Sequence, residues 1–185
     1  MTATQEPKEA QAPKITAEMV KALREETEAG IMDCRRALTD ANGDMQKAKA
    51  ILREKGMASA GKKADRETNQ GLVESYIHGG RIGALVEVNC ETDFVARTDQ
   101  FKELARSVAM QVAAMNPRFL SKDDATEELR QSEQLTEKQV TSMSLMTQSF
   151  IRDESKTIEQ LIKETIAATG ENIRVTRMAR FELGK

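Results

Sequence analysis

The spacing of apolar residues changes repeatedly along this chain, and that change limits the folds open to it. Met19, Val20 and Leu23, and later Met45, Ala48, Ile51 and Leu52, recur at three- and four-residue intervals, as on a helix with one buried face. From Leu72 to His78 the pattern alternates, Gly79-Gly80 turns the chain, and Ile82 to Val88 is aliphatic, which predicts a β-hairpin. Phe101, Leu104, Ala105, Val108, Ala109 and Val112 return to helical spacing. Ile173, Val175, Ala179, Phe181 and Leu183 then alternate with Arg174, Thr176, Arg180 and Glu182, and Arg177 interrupts the apolar set. A last strand must pair with something, and the hairpin is the available partner. The prediction is an α+β fold: three helices, then a small antiparallel sheet covered by helices.

Cap and turn residues place the boundaries. Thr16 is a good N-cap with Ile15 and Val20 placed as a staple across it, and Gly30 ends the first helix. A second helix is expected over about 32–41, with Ala37 and Leu38 inward. Asn42-Gly43 breaks the chain, Asp44 caps a third helix, and Gly56 is expected to end it. Residues 1–13 are polar and read as a disordered tail. The domains expected are a three-helix module over 14–56, a polar and partly helical linker over 57–70, and an α+β core over 71–185. Within that core Asn116-Pro117 stops the long helix, 122–135 is acidic and poorly periodic, and helices follow at 136–148 and 156–169. Ser155 is the expected cap of the last helix and Gly170 its stop.

Aromatic residues make up 3% of the chain and Trp is absent, so the core has to be aliphatic. The net charge of -2 argues against a dedicated nucleic-acid binder. Arg174, Arg177 and Arg180 lack an aromatic platform and read as a charged strand face. The N-terminus shows no apolar signal-peptide run, and no stretch approaches the roughly 20 apolar residues of a membrane span, so a soluble cytoplasmic protein is expected. Cys34 and Cys90 have no second Cys or His at ligand spacing, so reduced thiols are expected, with no metal and no cofactor. A thiol enzyme built on Cys90, His78 and Asp93 would need a nucleophile motif around Cys90, and none is there. The plainer reading makes His78 a hairpin-end residue and Cys90 a small buried one.

Three stretches resemble the elongation factor Ts family. The first runs from Leu23 to Gly43 and contains Ala29-Gly30-Ile31-Met32-Asp33-Cys34-Arg35-Arg36-Ala37-Leu38. The second is Val86-Glu87-Val88-Asn89-Cys90-Glu91-Thr92-Asp93-Phe94-Val95-Ala96-Arg97, and the third runs from Gly170-Glu171-Asn172-Ile173 to Arg180-Phe181-Glu182. They occur in the family's order across nearly the whole chain. The resemblance implies a guanine-nucleotide exchange factor that binds elongation factor Tu in its GDP-bound and nucleotide-free states. The three-helix module would be ubiquitin-associated-like and dock on the partner's nucleotide-binding domain. Thr92, Asp93, Phe94 and Val95 would enter near the partner's magnesium. With one sheet-and-helix unit, the chain is similar to the family's short form, in which a homodimer gives a 2:2 complex.

There are departures from the family pattern. Gln148-Ser149-Phe150 stands where Gln-Pro-Phe is frequent, which is expected to loosen that turn, and Gln111 stands where some members have His.

An exchange factor needs no catalytic acid, base or nucleophile; it must bind the nucleotide-free partner better than the loaded one. Phe94 is the candidate wedge and Asp93 its polar companion. Thr92 would cap the following turn, and Val95 would anchor the segment to its own core. From spacing alone, Phe94 reads as core and Thr92-Asp93 as a plain helix cap; the match of the surrounding residues to the family reverses that reading. In the first module Arg24, Ile31, Met32 and Asp33 are the candidates for partner contact, the alternative being that Ile31 and Met32 are core and Asp33 only favours a helix start. The competing function is a passive adaptor that binds without accelerating release.

Overall fold

The structure, a computed structural model, describes residues 15–27 and 29–185; the expected tail over 1–13 lies outside the described residues. Two compact units meet at Lys55/Gly56, within one helix.

The first unit contains α1 (Ala17–Thr27), α2 (Ile31–Asp40) and the beginning of α3 (Met45–Lys63). Thr16 Oγ1 accepts from the Met19 N–H at 3.3 Å, and Asp44 Oδ1 accepts from Gln46 and Lys47 N–H at 2.9 and 3.0 Å. These caps occupy donors that a helix start leaves unpaired. Asn42 and Gly43 take positive φ, which closes the turn between α2 and α3. Leu23, Cys34, Ala37, Leu38, Ala41, Ala48 and Leu52 form the core, flanked by Ile15 and Val20.

The second unit is built on a three-stranded antiparallel sheet in the order β1 (Gln70–His78), β2 (Ile82–Cys90), β5 (Ile173–Glu182). After β2 come α4 (Asp93–Ala96) and α5 (Asp99–Met115). A small lobe follows with α6 (Glu127–Ser132) and α7 (Glu137–Met143), packed around Phe119, Ala125 and Val140. A short hairpin, β3 (Ser149–Phe150) and β4 (Asp153–Thr157), leads into α8 (Ile158–Thr169). One face of the sheet carries Ala84, Val86, Val88 and Cys90 against the buried side of α5 (Phe101, Leu104, Val108, Val112) and α8 (Ile158, Ile162, Ile166). The fold is α+β, as expected.

Local expectations fail at four places, each with a physical reason. Gly56 does not end α3, which continues through the first part of the expected linker to Lys63. A Cβ on Gly56 would sit 2.9 Å from the Ala167 Cβ of α8, so this glycine permits close helix approach instead of a cap. We expect Gly56→Val to destabilise the protein by about 1–3 kcal/mol in urea unfolding. Gly61→Ala, with nothing within 4 Å of its Cβ, is expected to gain up to about 1 kcal/mol.

The cap of α8 is Thr157, in a capping box with Gln160; Ser155 lies in β4 and bonds Asp153 instead. The turn at Gln148-Ser149-Phe150 is held, not loosened. Gln111, fully buried on α5, donates to Gln148 Oε1 (3.2 Å) and the Ser149 carbonyl (3.1 Å), and its Oε1 accepts from the Ile151 N–H (3.0 Å).

The fourth failure concerns β5. Glu87 pairs with Arg177 but Val88 pairs with Val175, so Thr176 is an extra residue in the ladder. A bulge of one residue inverts the parity of every side chain beyond it. Ile173 and Val175 face the core, but Ala179 and Phe181 point to the opposite face, with Phe181 69% exposed. The expected single apolar face is therefore split between the two sides of the sheet. The arginines also separate: Arg177 pairs with Glu87, Arg174 donates to the Ala64 carbonyl, and Arg180 Nε donates to the Ala113 carbonyl at 3.0 Å, near the C-terminus of α5. They do not form one charged strand face.

Candidate functional site

Thr92-Asp93-Phe94-Val95 lies where β2 leaves the sheet. Thr92 is extended (φ -127°, ψ 155°) and caps α4, its Oγ1 accepting from the Val95 N–H at 3.4 Å. Thr98 caps the next helix and also donates from Oγ1 to the Val95 carbonyl at 2.7 Å. Val95 packs against the core of its unit. Phe94 is 79% exposed, the highest value among the exposed large apolar side chains. The core reading of Phe94 is thereby excluded. Asp93 pairs with Arg97 across one turn at 2.8 Å, an exposed contact of small energetic weight.

The segment is tied down from a distance. Glu171 Oε2 accepts from the N–H groups of Glu91 (3.1 Å) and Thr92 (3.0 Å), and its Oε1 accepts from Thr92 Oγ1 (2.6 Å). In return Glu91 Oε1 accepts from the Asn172 N–H at 2.6 Å. The buried Asn172 amide donates to the Ala64 and Arg66 carbonyls at 3.2 and 2.9 Å. Glu171 carries no local sign of this role in the sequence, because its partners stand about eighty positions earlier.

In the first unit Arg24 lies in the last turn of α1, and Ile31, Met32 and Asp33 form the first turn of α2. Ile31 is 56% and Met32 63% exposed, so neither is core. Arg24 and Asp33 both influence the buried Cys34 thiol, which places their charges around the same helix junction. Asp33 pairs with Arg36. The result is an apolar pair bordered by both signs of charge. The four N-terminal candidates and the four at the end of β2 belong to different units.

The comparisons with known proteins agree with these features. A family model described as Elongation factor TS matches residues 8–142. The chain is similar to an elongation factor Ts of Thermosynechococcus vestitus, 50% identical over 93% of this chain and 66% of the relative. It is 48% identical to that of Thermoanaerobacter sp., over 92% of this chain and 96% of the relative. It is 46% identical to that of Coprothermobacter proteolyticus, over 93% of this chain and the whole of the relative.

The chain belongs to the elongation factor Ts family.

That membership gives it the role of a translation elongation factor and accounts for the first two signature stretches, which fall within the matched residues, including the one whose phenylalanine stands free of the core. No helix among the described residues is long and apolar enough to cross a membrane. No group of three or more His, Cys, Asp or Glu that could hold a metal is found among them either.

Cys90 is fully buried at the end of β2 and donates from Sγ to the Thr92 carbonyl at 3.1 Å. Burial first, and the charge of Glu171 next, push its thiol up from the ordinary 9.0 to about 11. The thiolate fraction at neutral pH falls about a hundredfold, which removes its value as a nucleophile. His78 closes the hairpin opposite Ile82 and stacks on Tyr76, away from the end of β2 where Cys90 lies. Folded protein at pH 8 is expected to protect Cys90 from iodoacetamide, whereas protein unfolded in urea should be alkylated readily; mass spectrometry reads the difference. Since the folded value is the raised one, the stabilising effect of the protonated thiol is complete below pH 9 and lost as pH climbs through about 11.

Proposed function

We propose that this elongation factor Ts family member is a guanine-nucleotide exchange factor for elongation factor Tu, with Phe94 as the wedge that disturbs the partner's magnesium site. The observation that carries the reading is a phenylalanine 79% exposed on a four-residue helix whose cap residue, Thr92, is hydrogen-bonded to Glu171 in the loop before β5. A wedge of this kind is buried only against a partner, so its burial energy favours whichever partner state makes room for it. Ile31 and Met32, with Arg24 and Asp33 beside them, provide the docking edge. Asp93 exchanges its weak pairing with Arg97 for groups displaced in the partner. Exchange of this type involves no covalent step, so the protein is not an enzyme in the bond-making sense, and it acts in the cytoplasm where translation proceeds.

A homodimer belongs to the same reading. Val73, Ile77 and Leu85 stand on the uncovered face of the sheet beside Phe181, and Leu183 follows just past β5; all five are exposed and apolar. A face of that character is unfavourable in water, and a second copy related by a two-fold axis would cover it with the same residues. The dimer would carry two wedges and serve two partner molecules, giving a 2:2 complex.

The test is the release of fluorescent GDP from elongation factor Tu with catalytic amounts of this protein. Acceleration supports the proposal. Binding without acceleration would instead establish a passive adaptor.

A further inference from the structure

We infer that Glu171 is a positioning residue for the exchange step, acting through the orientation of Phe94; the inference rests on the exchange-factor reading above. Phe94 is so exposed that it has little packing of its own to fix it. Its position therefore depends on the backbone of 92–95, and α4, at four residues, is too short to hold itself as a helix. Val95 on the core and the Thr98 hydroxyl on the Val95 carbonyl hold its far end, but its entry from β2 has to be held from outside the segment.

Glu171 holds that entry in two ways. The last paired position of β2 is Cys90, opposite Ile173, so the N–H groups of Glu91 and Thr92 have left the ladder. One carboxylate oxygen accepts both of them. The other oxygen takes the single hydroxyl proton of Thr92. A hydroxyl that has given away its proton presents only lone pairs to its other neighbours, so Thr92 Oγ1 is left as an acceptor for the Val95 N–H that starts α4. Glu171 thus sets both the exit angle of the chain from β2 and the polarity of the cap. The anchor is itself fixed, because its neighbour Asn172 is buried and bonded to Glu91, Ala64 and Arg66.

A wedge held at one angle meets the partner in its productive pose; one that swings must be ordered first, and the loss falls on the step after docking. With the docking edge of the first unit untouched, Glu171→Ala is expected to lower the maximal rate of GDP release at saturating factor by about tenfold. The factor concentration giving half-maximal rate should change by less than about twofold. Glu171→Gln keeps a carbonyl oxygen for the two N–H groups and should stay within about threefold of wild type. On a Phe94→Ala background, Glu171→Ala should add less than about twofold, since the side chain it positions is already gone.

The inference is overturned if Glu171→Ala, or Thr92→Val where the alanine variant does not fold, releases GDP at the wild-type maximal rate while Phe94→Ala is slow. It is equally overturned if the Glu171→Ala loss multiplies in full onto Phe94→Ala. If Phe94→Ala itself releases GDP as fast as wild type, the exchange-factor reading of the wedge fails instead, which keeps the two outcomes apart.

Discussion

Phe94→Ala is expected to slow factor-stimulated GDP release by about 30-fold at subsaturating factor, with thermal stability unchanged. The size follows from the burial of one interface aromatic, about 2 kcal/mol or more. Stability should not move, because a side chain 79% exposed contributes little to folding and alanine is the better helix former. The contrast with Asp93→Ala is informative. That substitution breaks only an exposed pair with Arg97 within the protein, so any loss of exchange it causes reports on the partner's side. If Phe94→Ala released GDP as fast as wild type, the wedge would have to be sought elsewhere on the chain.

Phe181→Asp is expected to halve the sedimenting mass, from a two-chain particle to a single chain of 20.6 kDa. The carboxylate would stand among Ile77, Leu85 and Leu183, on the side of the sheet away from α5. In a dimer it would lose the aromatic anchor and also bring a charge into a largely apolar interface. The two effects together exceed about 4 kcal/mol, a drop in affinity of a thousandfold or so. In the isolated chain the same position is open to solvent, so the variant should keep its circular dichroism and thermal transition. Wild-type protein that sediments as a single chain at micromolar concentration would rule out the dimer.

The two predictions differ in how legible their residues were. The Thr92-Asp93-Phe94-Val95 segment is recognisable in the sequence because the family pattern around it is continuous, and the Thr92 cap is a local hydrogen bond between neighbours three residues apart. What spacing could not decide was whether Phe94 is core. Exposure depends on the angle at which the chain leaves β2, and Glu171 sets that angle from about eighty positions away. The face presented by Phe181 departs from simple alternation for a related reason. Alternation predicts facing only while the ladder stays in register, and Arg177, a charge at an apolar position, is the one local sign of the bulge.

The same division runs through the whole fold. Helical spacing in α1, α5 and α8, the Thr16 and Asp44 caps, the Asn42-Gly43 turn and the Gly79-Gly80 hairpin were determined by the sequence itself, since each depends on groups a few residues apart. Gly56 as a point of close helix approach, the Gln111 clamp on the 148–151 turn, the inverted end of β5 and the Glu171 tether were decided only by tertiary structure. Each of these satisfies a steric or hydrogen-bonding demand with a partner dozens of positions away, and no local window contains both halves of the demand.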